Sequence, residues 1–304
     1  MNTPAILAEL ATRSILLEVS CHPKPGLVTP FSPGCHHDMD YRLFLKSSAV
    51  LSQGFAAAAA LGYAFEGPPA SLFAHARETG IPVERRMFSV TGGTNTQKGL
   101  VFLFQTLLAG AGRLCREEHL TPGALASYVA EMTDGIVSRE LAPLMKGAGR
   151  DLTKGEALYV SYGITGIRGE VEDGLPSVMK TGLPTFRRAC ERGEDLDAAL
   201  LETLFALMTV VEDTNIMSRK GLAMYEDVKR RAADVLAKGG VSTPEGMEAI
   251  STFSSFAEYS HISPGGSADL LSATLFMHYL DTELPWGHEG MTRGQGIQTE
   301  HREH

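Results

Sequence analysis

The chain has 304 residues, of which 43% are hydrophobic and 21% charged, and it carries a net charge of −9. This is the composition of a folded globular protein rather than a disordered one, and a chain of this length buries enough apolar surface to need no disulfide or metal staple. The negative charge excludes non-specific nucleic-acid binding but not a small phosphorylated ligand, because a few local cations can reverse the sign inside a cleft.

Helical signals run from end to end, so the predicted fold class is all-α: one compact multi-helix domain over 1–282, with glycine-rich functional loops at helix N-termini. The N-terminal segment, MNTPAILAELATRS, lacks a basic run ahead of an apolar one and does not read as a secretory signal. Residues 3–20 instead place Ile6, Leu7, Leu10, Ile15, Leu16 and Val19 at helical intervals, with Thr3 as N-cap and Pro4 in the first helical position. From 38 to 63 the chain is apolar on almost every face, which predicts a helix deep in a bundle. Further helices are predicted over 69–80, 95–114, 122–148, 174–192, 195–211, 218–238, 243–261 and 266–280. Thr121-Pro122, Thr243-Pro244 and Ser263-Pro264 supply start signals. No sustained period-two alternation predicts a strand. The longest strongly apolar stretch, Leu100 to Gly112, is interrupted by Gln105 and Thr106 and is shorter than the roughly 18 residues of a membrane span. Cys21, Cys35, Cys115 and Cys190 are scattered, with no CxxC pair. Reduced thiols in a cytoplasm, away from any membrane, are therefore expected. The residues from 283 to 304 are polar and glycine-bearing and read as a mobile tail. The apolar helices offer a face for a homodimer.

Five glycine-bearing segments carry the charged residues. In the first, prolines at 23 and 25 restrain Lys24, which suits an ammonium aimed at phosphate. His36, His37, Asp38 and Asp40 follow. The two acids suit either a helix cap or a hard cation, and the histidines lack the spaced partners of a zinc site. The second, Thr91 to Gly99, holds Gly92, Gly93, Asn95 and Lys98. A glycine-rich turn at a helix start presents free N–H groups to anions, although the order Lys-Gly is not that of a P-loop. The third, Gly163 to Glu170, brings glycines alongside Arg168 and Glu170, which could also simply pair with each other. The fourth, Glu212 to Asn215 with Arg219, is oxygen-rich and suits Mg²⁺, or else an N-cap. The fifth, Gly265, Gly266, Ser267 and Asp269, opens the last helix. Together they describe a polyanion site.

These residues resemble the triphosphoribosyl-dephospho-CoA synthases, which make the prosthetic-group precursor for the acyl carrier proteins of citrate lyase and malonate decarboxylase. The resemblance rests on PKPGLV (23–28) with HxDMD (36–40), GGxNxxKG (92–99), GxxGxRGE (163–170), DTN (213–215) with Arg219, and SPGGSADLL (263–271). Gln97 stands where a histidine is usual, and Leu175 where an aromatic usually follows the glycine. The resemblance implies that ATP and 3′-dephospho-CoA are the substrates and that a holo-acyl-carrier-protein synthesis pathway lies downstream. The acceptor's ribose 2′-hydroxyl attacks C1 of the ATP ribose, adenine leaves, and the triphosphate stays on the product. Lys24, Lys98, Arg168 and Arg219 then become the triphosphate clamps, Mg²⁺ sits on Asp38 or Asp213 with Asp269, and Asn95 and Asn215 orient oxygens. The base is Glu170, with Asp213 second. Two alternatives remain: a Mg²⁺-dependent glycohydrolase of ADP-ribose-like ligands, which leaves Lys24 and Lys98 less explained, and a helical interaction protein with solvated charged loops.

Overall fold

A computed structural model of the chain describes residues 3–147 and 149–284. The described residues are helical throughout, apart from loops and one isolated β-bridge between Thr29 and Ser32. The helices are α1 (Thr3–Ser20), α2 (Tyr41–Ala64), α3 (Pro69–Val90), α4 (Lys98–Arg116), α5 (Pro122–Thr133), α6 (Ile136–Glu140), α7 (Lys154–Tyr162), α8 (Ile167–Glu172), α9 (Leu183–Glu191), α10 (Leu196–Met208), α11 (Thr214–Lys220), α12 (Leu222–Ala237), α13 (Pro244–Tyr259) and α14 (Gly265–Glu283). Of the tail predicted over 283–304, all but Glu283 and Leu284 lies outside the described residues.

Start signals work locally. The Thr121 hydroxyl accepts from the Ala124 amide (3.1 Å) and opens α5, and the Thr243 hydroxyl accepts from the Gly246 amide (3.0 Å) and opens α13. Asp195 caps α10 and Asp40 caps α2, each accepting an amide bond at 2.8 Å. A hydroxyl or carboxylate there satisfies an otherwise orphaned N–H. Thr153 and Glu156 form a reciprocal capping box at α7.

The helices differ from the sequence reading where glycine or proline acts. The helix predicted over 122–148 divides at Gly135, whose φ is +71°, and the one over 218–238 divides at Gly221. The helix predicted to stop near 80 runs on through Pro82 to Val90, because packing against α2 and α4 outweighs the one amide bond a proline forfeits. The short helices α7 and α8 are absent from the sequence reading. They span one to three turns, too few for periodicity to register.

One hydrophobic cluster draws residues from α1 through α14. At its centre lie α4 and α14, and Phe104 of α4 stacks on Phe55 of α2 (centroids 5.2 Å apart) and leans on Phe276 of α14 (5.7 Å). Helices α2 and α4 touch backbone to backbone. A Cβ at Gly62 would lie 1.9 Å from the Ala109 carbonyl oxygen, and one at Gly112 would lie 2.2 Å from that of Ala59. Only hydrogen fits at either position. The deep burial predicted for α2 is not found, since Ala56, Ala57, Ala60 and Tyr63 are exposed. An alanine run reads as apolar, yet what it contributes here is helix propensity. By length and composition α2 could cross a membrane; here it packs on α1, α3 and α4.

This packing gathers helix N-termini. The first turns of α4, α7, α8, α11 and α14 all open onto one cavity of about 970 Å³.

Candidate active site

The cavity is lined by Lys24, Asn95, Lys98, Arg168, Glu170, Asn215, Arg219, Gly265, Gly266 and Asp269, so segments from all five glycine-bearing stretches converge. Helix starts and several cations face its interior, together with the carboxylates Glu18, Glu84, Glu170, Asp173, Glu212 and Asp269.

Three of the expected clamps have partners inside the protein. The Lys24 ammonium, buried at the cavity wall, pairs with Glu18. Lys98 pairs with Glu84 at 2.9 Å and Arg168 with Glu140 at 2.9 Å, so Arg168 and Glu170 do not pair with each other. Arg77 shares Glu140. No carboxylate pairs with Arg219 among the described residues. Its charge, after burial, holds the neighbouring His36 below the usual histidine range. His36 Nε2 lies 3.0 Å from the Ser263 hydroxyl, and its other nitrogen lies 3.8 Å from Asp38.

Glu170, on α8, is gripped from one side. The Ser177 amide donates to one carboxylate oxygen (2.8 Å) and the Ser177 hydroxyl to the other (2.9 Å). The chain reaches this position through Gly174 and Leu175, both at positive φ, with the Leu175 amide donating to the Glu170 carbonyl at 2.7 Å. Burial raises the Glu170 carboxyl above the ordinary range, and the Ser177 donors oppose that rise.

A second carboxylate shapes the loop that enters α8. Glu212 accepts from the amides of Thr165 (3.0 Å) and Gly166 (3.1 Å) and from the Thr165 hydroxyl (3.3 Å). Gly166 sits at φ 55°, ψ −139°. A side chain would be strained in that conformation, and its Cβ would come within 2.9 Å of Thr214.

Asp213, expected as base or metal ligand, is a buried cap and does not line the cavity. Its Oδ1 accepts from the Asn215 amide (3.1 Å) and its Oδ2 from the Ser267 amide (3.0 Å) and hydroxyl (3.2 Å). The anion at the α14 N-terminus is thus the protein's own carboxylate, and Ser267 faces Asp213 rather than the cavity. Gly92 and Gly93 end α3 instead of opening α4. Both are at positive φ, the Gly93 amide donates to the Phe88 carbonyl, and neither lines the cavity. Asn95 caps the Lys98 amide at 3.0 Å. Gln97 is buried and accepts from the Ser47 hydroxyl at 2.5 Å.

Asp38 is exposed at its loop, Asp213 is saturated with donors, and Asp269 alone of the three faces the cavity. Burial, then the Glu18 and Asp213 carboxylates, push the Asp269 carboxyl well above its ordinary range. Asp38, Asp213 and Asp269 therefore do not form the expected ligand set. Among the described residues no group of three His, Cys, Asp or Glu side chains could hold a metal ion.

Sequence reasoning missed Glu18, Glu84, Ser177 and Lys180, all lining the cavity. Glu18 had a signal: it continues the buried stripe Leu7, Ala11, Ser14 on α1, where a charge is out of place. Ser177 and Lys180 fall inside the helix predicted over 174–192, which instead opens with a turn and a π-helical segment, Val178–Gly182, before α9.

The family model for CitG, described as ATP:dephospho-CoA triphosphoribosyl transferase, matches residues 4–288. The chain belongs to this family. Among its relatives, a probable 2-(5″-triphosphoribosyl)-3′-dephosphocoenzyme-A synthase of Malonomonas rubra is 40% identical over 91% of this chain and 88% of its own length. The 2-(5″-triphosphoribosyl)-3′-dephosphocoenzyme-A synthase of Klebsiella pneumoniae is 39% identical over 87% of each chain, and that of Escherichia fergusonii 37% over 90% of each. No solved structure matches. Family membership decides between the transferase and the two alternatives raised by the sequence.

Proposed function

We propose that this chain transfers the 5-triphosphoribosyl group of ATP to the ribose 2′-hydroxyl of 3′-dephospho-CoA and releases adenine. The observation that carries the reading is the convergence of the five glycine-bearing segments and the cations Lys98, Arg168 and Arg219 on a single cavity of about 970 Å³. That volume lies at the upper end of ordinary ligand sites and suits two nucleotides side by side.

In this reading the C1–N9 bond of ATP breaks with its electron pair leaving on adenine, and a bond forms from the acceptor 2′-oxygen to C1. The hydroxyl proton passes to Glu170, and adenine takes up a proton as it leaves. A carboxylate held above the ordinary range by burial is matched to that role near neutral pH. Glu170 also faces an oxocarbenium-like centre, where its charge is stabilising. Lys98, Arg168 and Arg219 grip the triphosphate, and Lys24, neutralised by Glu18, holds the wall behind them. Asn95 and Asn215 orient oxygens. The walls keep water from C1, which would otherwise lose adenine to hydrolysis. Mg²⁺ belongs in this reading to the triphosphate as its counter-ion, since the described carboxylates do not form a cage for it. Cys21, Cys35, Cys115 and Cys190 form no disulfide among the described residues, which fits a cytoplasmic enzyme, and the product serves a holo-acyl-carrier-protein pathway.

The test is mass spectrometry of the products formed from ATP and 3′-dephospho-CoA. The expected result is triphosphoribosylated dephospho-CoA in equimolar amount with adenine. Adenine formed equally well without acceptor would replace transfer by hydrolysis.

A further inference from the structure

Two cations of the cavity are held by one carboxylate. Glu140, in α6, accepts through one oxygen from the Arg77 guanidinium and through the other from Arg168 Nε at 2.9 Å. Both arginines line the cavity, and Glu140 stands behind them, outside its lining. Neither guanidinium makes another hydrogen bond among the described residues. Arg168 therefore keeps both terminal nitrogens for a ligand, and Arg77 keeps Nε and one terminal nitrogen.

The charge balance sets this cluster apart. Lys24 with Glu18 and Lys98 with Glu84 are one-to-one pairs and come out neutral. Two guanidiniums on one carboxylate leave a positive charge over, and they repel each other until an anion bridges them. Sharing a carboxylate also fixes their spacing, so two planar forks stand side by side before a ligand arrives. The supports are local. The Arg77 guanidinium lies 5.6 Å from the ring centroid of Phe73, one turn earlier on α3. In α6 the Val137 amide donates to Glu172 of α8 at 3.2 Å. Helix α6 is thus tied to α8 twice, at Arg168 and at Glu172, and to α3 at Arg77.

Helix α3 also relates the pair to Lys98. Arg77 and Glu84 lie two turns apart on one face of α3, about 10 Å along its axis. Glu84 holds Lys98 at 2.9 Å, and both line the cavity. One helix face therefore presents Lys98 towards one end and the arginine pair towards the other. A polyphosphate laid along that face meets cations at both ends.

We propose that Arg77 is a further ligand of the ATP triphosphate, paired with Arg168, and that Glu140 is the positioning residue that sets the pair. This rests on the transferase reading and deepens it.

The experiment joins steady-state kinetics to calorimetric titration of inorganic tripolyphosphate, on the parent, Arg77→Ala, Arg77→Lys, Glu140→Ala and the double alanine variant, with circular dichroism confirming the fold. Arg77→Ala is expected to raise both KM for ATP and Kd for tripolyphosphate about tenfold, the magnitude of one charge-assisted hydrogen bond. KM for 3′-dephospho-CoA and kcat should stay within about twofold, because the interaction is equal in ground and transition states. Arg77→Lys, which keeps the charge without the fork, should fall between parent and Arg77→Ala. In the Glu140→Ala background the same Arg77→Ala change should cost less than about threefold, the mark of two residues acting as a unit; a full tenfold there removes Glu140 as the positioning residue. Unchanged KM for ATP and unchanged tripolyphosphate affinity in Arg77→Ala, or a rise confined to the KM for 3′-dephospho-CoA, overturns the assignment and leaves the transferase intact. A parent protein that binds tripolyphosphate through Arg77 yet makes no triphosphoribosylated product removes the transferase reading and leaves the polyphosphate site.

Discussion

Ser177→Ala isolates the link between geometry and chemistry. The substitution deletes the hydroxyl that donates at 2.9 Å to one Glu170 oxygen and leaves the backbone donor at 2.8 Å to the other. The turn through Gly174 and Leu175 is untouched. Burial already disfavours the Glu170 carboxylate, and the Ser177 hydroxyl is the largest influence opposing it. Without that donor the protonated form gains, so the acidic limb of the pH–rate profile moves upward. A hydrogen bond to a charged group contributes about 1.5 kcal/mol at the low end, and about 1.4 kcal/mol is tenfold in rate or equilibrium. The expected result is a roughly tenfold fall in kcat/KM on the acid side and near-parental activity on the alkaline plateau. Adenine release followed chromatographically across the pH range measures both. Ser177→Thr keeps a hydroxyl and should return the limb. An unmoved limb in Ser177→Ala, or a loss equal at every pH, would refute Glu170 as the proton acceptor.

Two further outcomes probe the scaffold. Gly112→Ala places a Cβ 2.2 Å from the Ala59 carbonyl oxygen and 2.8 Å from the Tyr63 amide, so urea denaturation should show a loss of about 3 kcal/mol as α2 and α4 are forced apart; parental stability would contradict the backbone contact. Arg150, aided by Thr153, holds the Glu156 carboxyl down at about 2. Its stabilising effect is present above the ordinary carboxylate range and is lost as pH falls from there towards about 2. Arg150 is half exposed, which screens the pair, so Glu156→Gln should cost about 1 kcal/mol at neutral pH. Thermal melts at a series of pH values should show that difference closing in acid; a gap that persists there would sever Glu156 from acid stability.

The sequence showed the helical architecture wherever an element was long enough to repeat its apolar spacing, as in α1, α4, α10 and α13. It was silent on α7 and α8, whose few turns are bracketed by glycine. The five glycine-bearing segments were legible as loops with charge, and their convergence was a reasonable expectation. Their internal division of labour was not. Asp213 and Asp269 look alike in sequence, each an acid near a helix start. Only packing makes one a cap whose oxygens are occupied and leaves the other facing open space. Gly92 and Gly93 read as the start of one helix because composition cannot tell a C-terminal turn from the N-terminal turn that follows it. The carboxylates that neutralise Lys24, Lys98 and Arg168 lie 6, 14 and 28 residues away along the chain, on separate helices or loops with no shared pattern.

The floor of the cavity joins Glu18 near one end of the polypeptide to Asp269 near the other, with the remaining walls drawn from between them. A chain that lacks the final helix therefore owns an incomplete pocket, without Gly265, Gly266 and Asp269. Until the final helix docks, one wall of the cavity is open to solvent, and a single proteolytic cut that frees that helix should cost the protein its activity.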